Sequence, residues 1–312
     1  MEPVMYVKSL PLCFFAASCV ALPTQAEEIA MLQPVEAIGT DAFLQRCETW
    51  DKWDKPAPPF QIHGNTHYVG TCGISAILVT GDDGHILLDS GVEVATPLVL
   101  ENIRKLGFDS TDIDYVLMSH EHFDHVAGHA AIAEATGAKV VASARAKPVL
   151  ESGVVASDDP QVESNHPQMA PVKVDLVVSH GDIVALGGIT ITAHATPGHT
   201  PGALSWSWTS CDASAADQSC RDFAYVDSLS PVSADSYRFI DHPRTVAAFR
   251  QSIETVAALP CDEILTPHPS SSNMIERLRS GKVGDGSQCQ NYASAIERRL
   301  NARLEREAGG DQ

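Results

Sequence analysis

His120-Glu121-His122-Phe123-Asp124-His125 places three imidazoles and an aspartate within six residues. Such a density of metal-binding groups is hard to explain without a metal. Alternate side chains of an extended or looping backbone project to the same side, so His120 and His122 face one point. Asp124 and His125 follow at once and can face a neighbouring point. One short loop can therefore serve two adjacent cations. A polar surface loop that happens to hold histidines would not need the flanks this one has. Tyr115-Val116-Leu117-Met118 is a short apolar run of strand type, ended by Ser119. After Val126-Ala127-Gly128-His129 comes the helix-like Ala130 to Thr136, closed by Gly137. A buried strand that stops, a ligand loop and a helix N-terminus mark a site on an α/β scaffold.

Two further segments repeat this design. Ile189 to Ala195 alternates as a strand, and Thr196-Pro197-Gly198-His199-Thr200-Pro201-Gly202 then turns sharply around one histidine. Glu263-Ile264-Leu265 is another short strand, followed by Thr266-Pro267-His268-Pro269. Each places a single histidine just past a strand end, with proline and glycine fixing the backbone. A lone histidine in such a turn is ordinarily a core or turn residue; the 120–125 loop reverses that reading. The candidate ligands are then His120, His122, Asp124, His125, His199 and His268. Catalytic zinc keeps three protein ligands and an open position, whereas structural zinc is closed by four. Six ligands make two open sites. Imidazole and carboxylate without thiolate suit zinc, although iron or manganese could also be held.

Composition narrows the function classes. The 312 residues carry 21 basic and 40 acidic side chains, a net charge of −19, which disfavours an anionic nucleic-acid partner. Hydrophobic content of 44% permits a substantial core, and no repeat or low-complexity tract divides the chain. Lys8 followed by apolar Leu10 to Leu22, too short for a comfortable membrane span, reads as a secretory leader. Thr24-Gln25-Ala26 supplies the small residues for cleavage, so residues 1–26 are removed and 27–312 form a single catalytic domain. The expected location is the periplasm, without stable membrane association. A lipoprotein is the alternative, although Ala16-Ala17-Ser18-Cys19 lacks the expected leucine. Six of eight cysteines remain after cleavage, enough for 15 pairings. Locality favours Cys211–Cys220 across a polar hairpin tip.

A walk along the chain predicts strands at 59–63, 66–70, 74–80, 84–89, 114–118, 139–142, 173–178, 182–186, 189–195, 203–208, 222–226 and 262–265. Helices are predicted over 95–106, 130–136, 143–151, 243–258 and 289–307. Gly81-Asp82-Asp83-Gly84 is a hairpin turn signal. Ile296, Leu300 and Leu304, four apart, give the last helix an apolar stripe. Alternation of this kind fits helices outside two facing sheets.

These motifs resemble the metallo-β-lactamase fold, and within it the subclass B3 enzymes. The resemblance is carried by the His-x-His-x-Asp-His loop, Gly198-His199-Thr200-Pro201-Gly202 and Pro267-His268-Pro269. Leu87-Leu88-Asp89-Ser90-Gly91, Gly70-Thr71-Cys72-Gly73, Asp227-Ser228-Leu229-Ser230 and Ala258-Leu259-Pro260-Cys261-Asp262 add to it. It covers about residues 45 to 300. It implies a four-layer αββα sandwich of two mixed sheets with helices on the outer faces. It also implies that His120, His122 and His199 hold a first zinc, and that Asp124, His125 and His268 hold a second. Ser228 and Ser230 would contact the substrate, and Cys47–Cys72 and Cys261–Cys289 would be the other disulfides. The activity implied is hydrolysis of β-lactam antibiotics, penicillins, cephalosporins and carbapenems. A hydroxide activated by two zinc ions would attack the amide, with Asp124 orienting it and no acyl-enzyme, since no Ser-x-x-Lys occurs. Asp89 is expected to tie the loop backbone from behind the ligands. A monomer is the expected state.

Two alternatives differ in kind. A glyoxalase-II-like thioesterase or lactonase would bridge its metals with an aspartate, for which Asp227 is the candidate. Against it, only a short tail follows His268, too little for that family's helical substrate domain. A non-catalytic periplasmic metal-binding protein would be expected to close its coordination positions.

Overall fold

The computed structural model describes residues 38–212, 219–281 and 284–309. The leader reading of residues 1–26 and the tip of the Cys211–Cys220 hairpin lie outside the described residues. The described residues all fall in one compact unit, Pro34–Gln312.

Two mixed sheets carry the fold. The first has seven strands in sequential order: β1 (Phe60–His63), β2 (Thr66–Tyr68), β3 (Ile77–Gly81), β4 (Gly84–Leu88), β5 (Ile113–Leu117), β6 (Lys139–Ser143) and β7 (Leu176–Val178). β1 to β4 run antiparallel, and β4 to β7 run parallel. The second is ordered β12-β11-β10-β9-β8, from β8 (Ile183–Leu186), β9 (Ile189–Ala195), β10 (Leu204–Cys211), β11 (Cys220–Tyr225) and β12 (Glu263–Leu265). Only its β11–β12 pair is parallel.

The period of two along β11 shows how the layers form. Phe223 and Tyr225 join the large core between the sheets, with Trp206, Trp208, Val116 and Leu117. Ala224 and Val226 point the other way, into a second cluster with Phe249, Ile253, Tyr292, Ile296 and Leu300. Those last residues belong to the outer helices α6 (Pro243–Ala257) and α8 (Gln288–Gly309), which pack on one another. The stripe expected on the last helix is thus what seals the second sheet. On the other side α4 (His129–Thr136) packs against β5 and β6, with α2 (Thr96–Lys105) beside it. Strand β4 is buried along its whole length, as a strand covered on both faces must be. Trp206 Nε1 donates to the Met118 carbonyl at 2.8 Å and so ties the second sheet to the end of β5.

The structure adds helices that the sequence pattern did not announce. α1 (Thr40–Arg46) buries Phe43, and α7 (Met274–Ser280) buries Met274 and Ile275. Each is two turns or fewer, too short for periodicity to show. The helix expected over 143–151 begins later, as α5 (Lys147–Ser152), with Pro148 in its first turn. Inside the ligand loop, residues expected to loop form one turn, α3 (Phe123–Val126), with Val126 N–H donating to the His122 carbonyl. Successive helical residues diverge by about 100°. Asp124 and His125 therefore take different directions from one short turn.

Candidate metal centre

β5 ends at Leu117, and Ser119 hands the chain to the loop. Asp89, at the end of the neighbouring parallel strand β4, fixes that exit. Its Oδ1 accepts from Ser119 N at 2.6 Å, and its Oδ2 accepts from Ser119 Oγ at 2.6 Å and Tyr225 Oη at 2.7 Å. Asp89 is fully buried at φ 58°, in the left-handed region that aspartate tolerates better than most residues. Burial pushes its carboxyl above the ordinary range.

The structure brings the predicted ligands to one edge of the two sheets. Donor atoms of His120, His122 and His199 lie within 4.8 Å of one another. Those of His120, Asp124 and His125 do likewise. The second trio contains His120 where His268 was expected. His268 joins through Asp124, whose Oδ2 is 3.3 Å from His268 Nε2 and 3.0 Å from His125 Nε2. The His125 and His268 ring centroids are 4.9 Å apart. Residues 120–125 come from the first sheet, His199 follows β9 of the second, and His268 follows β12.

The outer nitrogen of each ring shows which atom is left to face inward. His199 Nδ1 donates to the Ser230 carbonyl at 3.0 Å. His122 Nε2 is 3.1 Å from Asp159 Oδ2. His120 Nδ1 is 2.9 Å from Asp227 Oδ1, and His125 Nδ1 is 3.7 Å from Asp89 Oδ2. The inward atoms are then His120 Nε2, His122 Nδ1, His199 Nε2 and His125 Nε2. Of these, His120 Nε2 is buried with no hydrogen-bond partner, and His125 Nε2 meets Asp124 Oδ2. Buried polar atoms are rarely left alone, and an orphaned nitrogen aimed at a carboxylate and further imidazoles fits a cation.

Electrostatics agree. Burial, with His125, His199 and His122 alongside, holds His120 well below the ordinary imidazole pKa. Burial and His122 hold His199 down at about 3. Both rings are neutral at physiological pH, the form that donates a lone pair to a metal. Burial alone would raise Asp124, but His125 and His268 carry it well below the usual carboxylate range. His125 moves oppositely: burial would lower it, and Asp124 raises it. Asp227 is pushed up to about 8 by burial. The fit is to divalent cations held by nitrogen and oxygen, without thiolate. A further cysteine-containing cluster, Cys47, Asp51 and Cys72, is no metal site, because Cys47 and Cys72 are bonded to each other.

Several residues that build the site carried no sequence signal. Glu121, between two of the histidines, is buried and takes Thr200 Oγ1 at 2.6 Å and Gly202 N at 2.8 Å, locking the His199 turn to the loop. A Cβ on Gly202 would lie 2.7 Å from Glu121 Oε1 and 2.6 Å from Ala146 N, so only glycine allows this approach. Asp159 stands 37 residues from His122. The His166 ring lies tilted 4.5 Å from that of His122, and Trp53, partly exposed, lies 5.7 Å from the His268 ring and 5.8 Å from Phe123. Both rings also lie against Phe123, His166 at 5.5 Å. Of the other histidines, His129 Nδ1 bonds Ser90 Oγ at 2.7 Å and His242 stacks on Tyr237 at 4.1 Å. Ser228 Oγ is buried without a partner, whereas Ser230 Oγ accepts from Arg299 at 2.8 Å. Disulfide bonds join Cys47–Cys72, Cys211–Cys220 and Cys261–Cys289.

The two-sheet scaffold and its edge of histidines define the metallo-β-lactamase superfamily, whose family model matches residues 69–213. The chain is similar to the solved structure of metallo-β-lactamase MIM-1 from Novosphingobium pentaromativorans, at 46% identity and a TM-score of 0.83, over 87% of this chain and 99% of that one. MEM-A1, a subclass B3 metallo-β-lactamase from a soil metagenome library, is 36% identical with a TM-score of 0.78, over 83% and 100% of the two chains. BJP-1, a subclass B3 enzyme of Bradyrhizobium japonicum, is 32% identical with a TM-score of 0.73, over 83% and 98%. The hydroxyacylglutathione hydrolase of Methylobacterium nodulans is 33% identical over 101 residues, which are 32% of this chain and 30% of that relative's length. The chain belongs to the subclass B3 metallo-β-lactamases.

Proposed function

We propose that this protein hydrolyses the amide of β-lactam antibiotics with two zinc ions, and that it confers resistance to them. The observation that carries the reading is the convergence of His120, His122, His199, Asp124, His125 and His268 on one sheet edge, in a chain 36% identical to a B3 enzyme along that enzyme's whole length. His120, His122 and His199 hold the first zinc; Asp124, His125 and His268 hold the second. Two such cations supply Lewis acidity to a carbonyl oxygen and bring the pKa of water towards neutrality.

The chain's own groups do the rest. Asp124, anionic and 5% exposed, is the carboxylate that orients the attacking water. The lock from Glu121 to the His199 turn keeps the two ligand loops in register, so little reorganisation is left for the reaction. Trp53 and His166 offer flat walls to a bicyclic substrate. Ser228, with its free hydroxyl, and Ser230, with the Arg299 guanidinium against it, are the contacts for a substrate carboxylate. No group is placed as a serine nucleophile with a Ser-x-x-Lys base. Residues 1–26 serve as an export leader, and the mature domain acts in the periplasm as a monomer; no helix among the described residues is long and apolar enough to cross a membrane.

The thioesterase alternative loses support at Asp227. A bridging aspartate must face the ligands, but this carboxylate lies against the outer nitrogen of His120 and accepts from Leu229 N. The test is direct. Zinc-loaded protein should hydrolyse a chromogenic cephalosporin and a carbapenem, should lose that activity to EDTA, and should keep it with clavulanate-type acylating inhibitors. Turnover of S-lactoylglutathione with none of any lactam would replace this reading with the thioesterase.

A further inference from the structure

The Asp159 side chain is buried at 1% exposure, in a loop between α5 and β7 that supplies none of the six ligands. A buried carboxylate outside regular structure needs a reason. Its Oδ2 lies 3.1 Å from His122 Nε2, and its Oδ1 accepts from Gln161 N at 2.6 Å. The backbone is fixed as well. Asp159 N–H donates to the Ala156 carbonyl, the Asp159 carbonyl accepts from Val162 N, and Pro160 follows. The Pro160 carbonyl in turn accepts from Ala234 N at 2.9 Å, pinning this loop to the segment that carries Ser230. His122 is 3% exposed. Removing either group would take a buried partner from the other.

A histidine offers one ring nitrogen to a metal only when the other holds the proton, and a fixed acceptor decides which. His122 differs here from its companions. His120, His125 and His199 have their Nδ1 atoms turned outward, so Nε2 faces the cluster. His122 has its Nε2 engaged, so Nδ1 faces it. The His166 ring, 4.5 Å from His122, limits rotation of the imidazole from one side.

We propose that Asp159 is a positioning residue that holds His122 as the Nε2–H tautomer, presents its Nδ1 to the first cation, and thereby sets the affinity of that site alone. The inference rests on His122 being a ligand of that site.

The test uses the full-length mature protein. Zinc affinities at both sites are measured by competition with a fluorescent chelator for wild type, Asp159→Asn, Asp159→Ala and His122→Ala. Asp159→Ala should weaken one site about 10–100-fold and leave the other unchanged. Asp159→Asn, isosteric but uncharged, should weaken the same site by less. His122→Ala should abolish it. Nitrogen-15 spectra of the histidine side chains in zinc-loaded wild type should show one ring protonated at Nε2 with its metal-shifted nitrogen at Nδ1. That signature should be lost or broadened in the Asp159 variants.

Wild-type affinity at both sites in Asp159→Asn and Asp159→Ala, with one site lost in His122→Ala, overturns the role of Asp159 and leaves the ligand set standing. Two intact sites in His122→Ala overturn the ligand reading instead. A merely structural Asp159 would lower the thermal stability of metal-free protein while leaving both affinities and the histidine spectrum alone. If Asp159→Ala does not fold, the isosteric Asp159→Asn decides by the same criteria.

Discussion

Replacing Asp89 separates three contributions that its side chain makes at once. In Asp89→Ala the backbone at φ 58° must be held by a residue disfavoured there, at about 1–2 kcal/mol. The Ser119 N–H loses its acceptor in the interior, which costs about 1–3 kcal/mol. The two hydroxyls fare better. Tyr225 Oη has the Ser75 carbonyl at 3.5 Å as another acceptor, and Ser119 Oγ, 3.3 Å from His120 Nδ1, can still accept from that N–H. The expected loss is about 2–5 kcal/mol. Asp89→Asn keeps an oxygen for Ser119 N and tolerates the left-handed backbone. Its NH2 can donate to both hydroxyls, which then act as acceptors, and the loss should stay below about 1.5 kcal/mol. Asp89→Gly removes the backbone strain but not the orphaned N–H, and should fall between them. Urea unfolding of EDTA-treated protein, followed by circular dichroism, measures all three without contributions from metal binding. A loss under about 1 kcal/mol in Asp89→Ala, or an Asp89→Asn as unstable as Asp89→Ala, would refute this account of the strand exit.

Three other outcomes are expected. His120→Ala should weaken the first proposed metal site and Asp124→Ala the second, each keeping wild-type far-ultraviolet dichroism; full activity in either variant counts against the ligand assignment. Unfolded, unreduced mature protein should show no thiol reactive to Ellman's reagent, and two or more would break the pairing of its six cysteines. His67, buried with Nδ1 unpartnered, is lowered by burial to about 4, so the fold excludes a proton that the unfolded chain binds below 6.5. Stability should therefore fall as pH drops from 6.5 to 4, by up to about 3 kcal/mol from this group. In metal-free protein the stability difference between wild type and His67→Leu should change over that interval, and a constant difference would exclude the effect.

The candidate ligands were legible because metal chemistry restricts residue types and because each lies just past a strand end. The strands were legible for a related reason: buried runs such as Ile86-Leu87-Leu88 admit little else. What escaped were partnerships made across the fold. Nothing near Asp159 in sequence announces His122, and the role of Glu121 shows only where the His199 turn folds over it. Asp227 illustrates the same limit from the other side. Its neighbourhood marked it as important, but only the fold decides whether a carboxylate faces the ligands or supports one from behind. The short helices α1, α3 and α7 were missed because a stripe needs more than two turns to declare itself.

The proposed first site takes two donors from the end of one sheet and the third from the other. A cation there is a cross-link between the two leaves of the sandwich. Ligand bound only by the native chain stabilises it by about 4 kcal/mol at a thousandfold excess over the dissociation constant. Part of that gain would resist the prying apart of the leaves. Starvation for metal would then silence the enzyme and loosen the seam along which a protease could enter.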